Sequence, residues 1–233
     1  MEIKDKKLIN LLYKIFPEKI IHNHTYQVKR FIKSVADKYD KKGKKIIDIG
    51  AGTCPYKKYF QQSQYFSQDL KNNPQKTIDF VGDATSIPVK NNSFDYILCL
   101  QVLEHLTKPH LAFKEFFRIL KPGGKLFLTT HMAFEEHMIP NDYFRFTRYG
   151  LKYLAETTGF KTIKIKPQGG RFIVLARELQ ILFLRLSNNK YLVYLFYLIF
   201  FLPLFLLSLI LLTLDFLDKN KDLTLNYQGI FVK

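Results

Sequence analysis

Three aspartates, two glycines and an alanine stand where strand-like runs of this chain come to an end, and together they suit the binding of a nucleoside-like ligand. The first group lies in the run from Lys44 to Cys54, K-K-I-I-D-I-G-A-G-T-C. Ile46, Ile47 and Ile49 read as a buried strand, and Asp48 interrupts it. An isolated buried carboxylate is costly unless something hydrogen-bonds it or binds it. Gly50 and Gly52 follow at once, and without a Cβ they let the backbone take strained angles and approach a ligand closely. A ligand is therefore expected over the carboxyl end of the first strand of an α/β sheet. Strand followed by G-x-G also fits a dinucleotide-binding turn or a plain tight turn. Asp69 ends a second strand-like run 17 residues beyond Gly52, about where α/β nucleotide sites place the carboxylate that accepts hydrogen bonds from a ribose diol. The alternative there is an aspartate in a surface turn. Asp83 ends a third run, where its carboxylate suits the exocyclic amine of a base and the N–H of Ala84 suits a ring nitrogen.

The elements that must position these residues alternate along the chain. Strands are expected over Lys45–Ile49, Gln64–Leu70, Ile78–Ala84, Phe94–Leu100, Lys125–Thr130 and Phe160–Lys166. Helices are expected over Tyr56–Gln62, over His110–Leu120, stopped by Lys121-Pro122-Gly123-Gly124, and between Gly150 and Gly159. Strands alternating with helices at this spacing mean βαβ units and a largely parallel sheet. Upstream, Leu8, Leu11, Leu12, Ile15 and Phe16 recur at helix spacing before Pro17, and a second helix from Tyr26 to Tyr39 carries Val28, Phe31, Ile32 and Val35 on one face. These two helices are expected to cover one edge of the sheet.

Taken in order, I-I-D-I-G-A-G-T-C, the acid at Asp69, G-D-A-T-S-I-P, S-F-D-Y-I-L-C-L-Q-V-L-E-H-L and I-L-K-P-G-G-K-L resemble a class I S-adenosylmethionine-dependent methyltransferase of the type-11 group, over about residues 44 to 165. The resemblance implies a Rossmann-like α/β sheet, largely parallel with its last strand antiparallel, flanked by helices. It also implies S-adenosyl-L-methionine as cofactor. Gly50 and Gly52 would border its methionine part, Asp48 would help hold the amino group, and Asp69 would bind the ribose hydroxyls. Asp83 and Ala84 would flank the adenine, and Gln101 would lie near the methionine moiety. Cys54 and Pro55 depart from the pattern, because Cys54 stands where the family often has a third glycine. A dehydrogenase is disfavoured, since its fingerprint wants glycine or alanine at Pro55.

Methyl transfer to a hydroxyl asks the protein to hold the nucleophile in line, exclude water and remove a proton. Histidine suits the last task near neutral pH. His105 follows the fourth strand and His131 the fifth, so both are expected at the mouth of the site as candidate bases. For His105 the alternative is a residue that only shapes the floor. The segment from His131 to Gly150 resembles the substrate loop of type-11 enzymes that modify bacterial glycans and lipids. His137, Asp142, Tyr143 and Arg145 are its candidate acceptor-binding residues, with an Asp142–Arg145 pair that caps the loop as the alternative for Arg145. No metal-ligand spacing is present, and none is expected.

Composition adds a partner and a location. Thirty-six Lys and Arg against 20 Asp and Glu give a formal charge of +16 over 233 residues, which points to nucleic acid or an acidic membrane surface. From Tyr191 to Leu214 no charged residue occurs across 24 positions, enough for the roughly 20 residues a bilayer span needs. Phe172–Leu186, broken by Arg177, Glu178 and Arg185, resembles an interfacial helix. The tail from Leu223 to Val232 reads as the last strand of the sheet, which requires the chain to come back to the side it left. Pro203 would kink the apolar run. A bent monotopic or re-entrant insertion is therefore expected, with a single span and a missing last strand as the alternative. The layout is then a basic helical cap (1–43), a methyltransferase domain (44–170), a hydrophobic helical insertion (171–218) and a returning strand (219–233). Two cysteines in unlike contexts and an N-terminus without an apolar leader suit a catalytic domain on the cytosolic side of the membrane. These features converge on methylation, on oxygen, of a membrane-associated glycan, lipid or quinone-like acceptor. The alternatives are an RNA or DNA methyltransferase, weakened by the lack of an N-P-P-Y-like or P-C motif, and an inactive membrane-bound scaffold of the same fold.

Overall fold

The computed structural model describes residues 23–186 and 190–233, without the side chains of 180, 182–186, 190–198, 201 and 202. Its described residues divide into two units, one made of 28–166 with 226–233, the other of 23–27 with 167–186 and 190–225. The apolar helix expected between Leu8 and Phe16 lies outside the described residues.

The first unit holds the sheet. Its strands are β1 (Lys45–Ile49), β2 (Gln64–Asp69), β3 (Phe80–Val81), β4 (Phe94–Leu100), β5 (Leu120–His131), β6 (Lys161–Gln168) and β7 (Asn226–Val232), in the spatial order β3-β2-β1-β4-β5-β7-β6. The pairs β3–β2, β2–β1, β1–β4 and β4–β5 are parallel, whereas β7 runs antiparallel to β5 from Lys125↔Val232 to His131↔Asn226. Parallel pairing brings the carboxyl ends of β1, β2, β4 and β5 to one edge of the sheet, where an open α/β fold binds its ligands.

Side chains on successive strand positions divide between two faces. On one face Ile46, Tyr96, Leu98, Leu100 and Phe127 pack with α1 (Asn23–Tyr39), whose Val28, Phe31, Ile32 and Val35 are all buried at helix spacing. On the other, Ile47, Ile49, Ile97, Cys99, Leu126 and Leu128 pack with Phe113 and Phe116 of α2 (Pro109–Ile119) and Leu151 and Ala155 of α3 (Arg148–Thr157). Each large side chain buried this way contributes about 1.5–3 kcal/mol. The α1 stripe thus covers a face of the sheet, not an edge, because it meets an equally apolar set of strand residues there. Pro109 opens α2 where no helical N–H partner is needed, and the Thr147 hydroxyl accepts the Gly150 N–H to cap α3.

Two expected elements are shorter than the sequence suggests. In place of a helix over Tyr56–Gln62 there is a single 3-10 turn, Lys57–Tyr59. The Asp40 carboxylate accepts the N–H groups of Gln61, Gln62 and Ser63 and turns the chain directly into β2. No helix N-terminus therefore faces the β1 turn. β3 is reduced to Phe80–Val81, because Asp79 bends back to accept both N–H and Oγ–H of Ser67.

The second unit holds α4 (Arg171–Leu186) and α5 (Lys190–Leu214), which contains Pro203 within it. Acids after α5 tie down the start of α4: Asp215 accepts the Gly170 N–H and Asp218 that of Arg171. Such acceptors satisfy donors that an N-terminal turn leaves unpaired. Among the described residues no helix is long and apolar enough to cross a membrane, so neither the bent membrane insertion expected of the 24-residue run nor the single span kept as its alternative is supported. Much of that run, residues 191–198 with 201 and 202, lies outside the described side chains. The last strand does return to the sheet, and Lys233 fixes it by donating from Nζ to the carbonyls of Phe117 and Leu120.

Candidate active site

The carboxyl end of β1 turns through two left-handed glycines, Gly50 at φ +64° and Gly52 at φ +54°. They serve different ends. A Cβ on Gly50 would stand 2.5 Å from Val102 Cγ2, so that glycine admits the residue after the β4 tip. A Cβ on Gly52 would meet nothing within 4 Å, so this glycine faces open space. Gly52 N–H donates to Asp69 Oδ2 at 2.8 Å, and Leu70 N–H donates to Asp69 Oδ1 at 2.7 Å. The spacing that linked Gly52 with Asp69 thus corresponds to a direct contact, and each carboxylate oxygen keeps lone-pair capacity for a further donor.

Asp48 is fully buried and accepts a short hydrogen bond from the Tyr65 hydroxyl on β2. Burial pushes its carboxyl up to about 7 against the opposing effect of that bond, with the Asp69 charge adding to the rise. Asp83 Oδ1 accepts both N–H and Oγ1–H of Thr85, shaping the turn after β3, and Ala84 beside it is buried. Gln101, at the tip of β4, sits at φ +57°, in a region that costs a non-glycine residue about 1–2 kcal/mol. Its N–H and Nε2 are both spent on Thr129, while its Oε1 is buried with no hydrogen-bond partner. A strained residue with an orphaned buried oxygen, at the same edge as Asp69 and Gly52, is the feature a bound donor group would explain.

The histidines form a second group around a residue the sequence reading passed over. Glu104 is fully buried; its Oε2 accepts from Thr130 Oγ1 at 2.8 Å, and its Oε1 lies 3.6 Å from His131 Nε2 with no hydrogen-bond donor. Burial raises its carboxyl above the ordinary value. Its carbonyl accepts the N–H groups of Tyr143 and Phe144, so it also anchors the loop after β5. His131 is buried with its ring 3.9 Å from that of Phe134, and its Nδ1 is 2.8 Å from Asn226 Oδ1. It belongs to the floor, which corrects its expected place at the mouth. His105 is partly exposed, with Nδ1 2.6 Å from the Asn141 carbonyl. His137 stands between them, its ring 4.7 Å from His105 and 4.9 Å from His131, and burial holds its pKa below the usual histidine value.

Asp142 and Arg145 act within the loop. Arg145 donates from Nη1 and Nη2 to the two Asp142 oxygens, both at 2.7 Å, and also to the carbonyls of Phe134 and Glu135. Arg145 and the His137 N–H hold the Asp142 carboxyl well below the usual range. With its side chain 3% exposed, Asp142 is a clasp and not a lining group. Tyr143 is exposed, with its hydroxyl on Asn141 Oδ1. The signal for Glu104 lay in its adjacency to His105; its partners Thr130 and His131 come from the next strand, which no local spacing shows.

The family model described as "Methyltransferase domain" matches residues 20–164. A ubiquinone/menaquinone biosynthesis C-methyltransferase of a Ruegeria species is 35% identical over 97 residues, 41% of this chain and 33% of its own. A demethylmenaquinone methyltransferase of Paenarthrobacter aurescens is 30% identical over 165 residues, 66% of this chain and 62% of its own. The chain thus spans less than two thirds of the length of either relative. Among solved structures, a SAM dependent methyltransferase from Archaeoglobus fulgidus superposes with a TM-score of 0.59 at 16% identity, covering 95% of this chain and 99% of that one.

Proposed function

The chain belongs to the methyltransferase domain family, and from that premise we propose that it transfers a methyl group from S-adenosyl-L-methionine to an oxygen of a quinone-like, lipid or glycan acceptor. The observation that carries the cofactor assignment is the Gly52–Asp69 contact together with the orphaned Gln101 Oε1, at the carboxyl ends of β1, β2 and β4 along one edge of the sheet. These groups fit the cofactor. Asp69 offers acceptors to the ribose hydroxyls, Gly52 leaves room for close backbone approach, and Gln101 Oε1 and Asp48 offer acceptors to the amino group of the methionine part. Asp83 and Ala84 flank the base. When bound, the cofactor supplies an already activated methyl group on its sulfonium. The chain's own residues then have to orient the acceptor and hold its departing proton.

His105 suits that last role better than His131, because its ring is the less buried of the two. Tyr143 and the exposed Met138 and Ile139 of the same loop suit an acceptor with apolar surface. A quinone-like acceptor draws support from the names of the Ruegeria and Paenarthrobacter relatives, of which the Ruegeria one is a C-methyltransferase, and oxygen as the methylated atom from that of a ubiquinone biosynthesis O-methyltransferase of Xanthomonas oryzae, 29% identical over 111 residues.

Seating on an anionic membrane is the second half of the proposal. It is supported by the formal +16 charge, each close Lys or Arg being worth about 1 kcal/mol at such a surface. It is also supported by the exposed apolar side chains Ile199, Phe200, Leu206, Leu207 and Ile210 on α5 and Phe216 and Leu217 after it. The test incubates the detergent-purified chain with methyl-labelled cofactor and a panel of quinone precursors, phospholipids and lipid-linked sugars. Label in one acceptor class, sensitive to His105→Ala, is the expected result. Label in RNA or DNA alone, or in nothing while the cofactor binds, would remove the acceptor assignment.

A further inference from the structure

We infer that Glu104, His131 and His137 form a site for one divalent cation of the zinc class. A ligating atom from each of the three lies within 4.8 Å of the others, and the closest measured pair, His131 Nε2 and Glu104 Oε1, is 3.6 Å apart. Ligand atoms about 2.1 Å from a tetrahedral zinc lie roughly 3.4 Å apart. Closing the group onto an ion therefore needs side-chain movements of about an ångström or less.

The second observation is Glu104 Oε1 itself, fully buried and without a hydrogen-bond donor. A buried carboxylate is normally paired, hydrogen-bonded or metal-bound. Here the Thr130 hydroxyl serves one oxygen and the backbone N–H groups of Glu104 and His131 also face the carboxylate, while Oε1 is turned to the His131 ring and meets no donor in hydrogen-bond geometry.

The tautomers point the same way. His131 Nδ1 contacts the Asn226 side-chain oxygen, and His137 Nδ1 contacts the Glu135 carbonyl and Asp142 Oδ2. An amide oxygen, a carbonyl and a carboxylate can only accept, so these contacts are hydrogen bonds in the tautomer that has Nδ1 protonated, which leaves Nε2 as the basic nitrogen of each ring. Histidines that bind metals commonly donate their other ring N–H to such an oxygen, which fixes the tautomer and raises ligand basicity. Two imidazoles and one carboxylate suit zinc, cobalt(II) or iron(II) and leave coordination positions open. The positive charge of Arg145, which acts on His137, is engaged by both oxygens of Asp142.

The site stands independently of methyl transfer, and its test is arranged accordingly. The full chain is stripped with a chelator, titrated with cobalt(II) under visible absorption, and then back-titrated with zinc. One cobalt per chain with a saturable visible band displaced by zinc is expected. Affinity should fall at least about tenfold in Glu104→Gln and in His137→Ala, and stay unchanged in His110→Ala, which removes an exposed histidine elsewhere. Circular dichroism of each variant reports folding, and cofactor titration tests the methyltransferase reading separately. A wild-type chain that takes up no cobalt, or folded Glu104→Gln and His137→Ala variants that bind it as tightly as wild type, would overturn the assignment.

Discussion

Replacing Asp48 by asparagine probes how a charge buried in the β1 strand is tolerated. The unfolded carboxyl ionises near 3.8 and the folded one near 7. Between those values the folded state holds a proton that the unfolded state does not, so raising the pH removes stability. The contribution is fully present below about pH 4, is lost as the pH rises through about 7, and is then constant. At about 1.4 kcal/mol per pH unit, the span amounts to roughly 4 kcal/mol, a large share of the stability of an ordinary domain. Asparagine keeps an oxygen for the Tyr65 hydroxyl but adds an amide that needs an acceptor, a cost of about 1–3 kcal/mol that does not vary with pH. The variant should thus be the less stable protein at low pH and the more stable one in mild alkali. Urea unfolding of both proteins from about pH 5 to about pH 9 measures the gap, with other titrating groups cancelling between them. Stability curves that stay parallel across that range would show that Asp48 ionises normally in the fold, and the burial argument would fail. A cationic cofactor group at Asp48 would draw this proton away, so cofactor affinity should rise with pH through about 7 in the wild type and stay flat in the variant.

Gly52→Ala should lose about 1–2 kcal/mol for the left-handed backbone alone, since its Cβ meets nothing, yet lose at least about tenfold in cofactor affinity measured by calorimetry. Unchanged affinity would mean the open space beside Gly52 is not where the ligand comes close. Arg145→Ala leaves the Asp142 carboxylate buried with only the His137 donor, a broken pair worth about 3–5 kcal/mol where burial is complete. The loss should appear as faster hydrogen exchange confined to residues 132–147, and protection equal to wild type there would refute the clasp.

Much of the fold was legible from local pattern. β4 occupies Phe94–Leu100 as expected, because a continuous apolar run flanked by turn residues admits little else. The place of Asp69 at the end of β2 was legible too, since a strand-like run closed by an acid and a turn sequence marks a strand end. What misled the reading were groups that arrive from a distance. Asp40 claims the N–H groups that a helix after Pro55 would have used, and nothing near Pro55 announces it. Glu104 meets Thr130 and His131 only because β4 and β5 pair. Phe134 closes over His131 from a loop whose path no periodicity sets. The apolar run from Tyr191 is legible as a helix and emerges as one. Whether such a helix meets lipid or protein depends on its surroundings, which its hydropathy does not specify.

The cofactor site is the claim on which the functional reading rests. Calorimetric titration of the purified chain with S-adenosyl-L-methionine, beside an Asp69→Ala variant verified as folded, tests it most directly. Saturable binding at one cofactor per chain, lost or weakened at least about tenfold in the variant, is the predicted result, because two carboxylate acceptors for the ribose disappear with the side chain. A folded wild-type chain that binds no cofactor, or a variant that binds it equally well, would contradict the account.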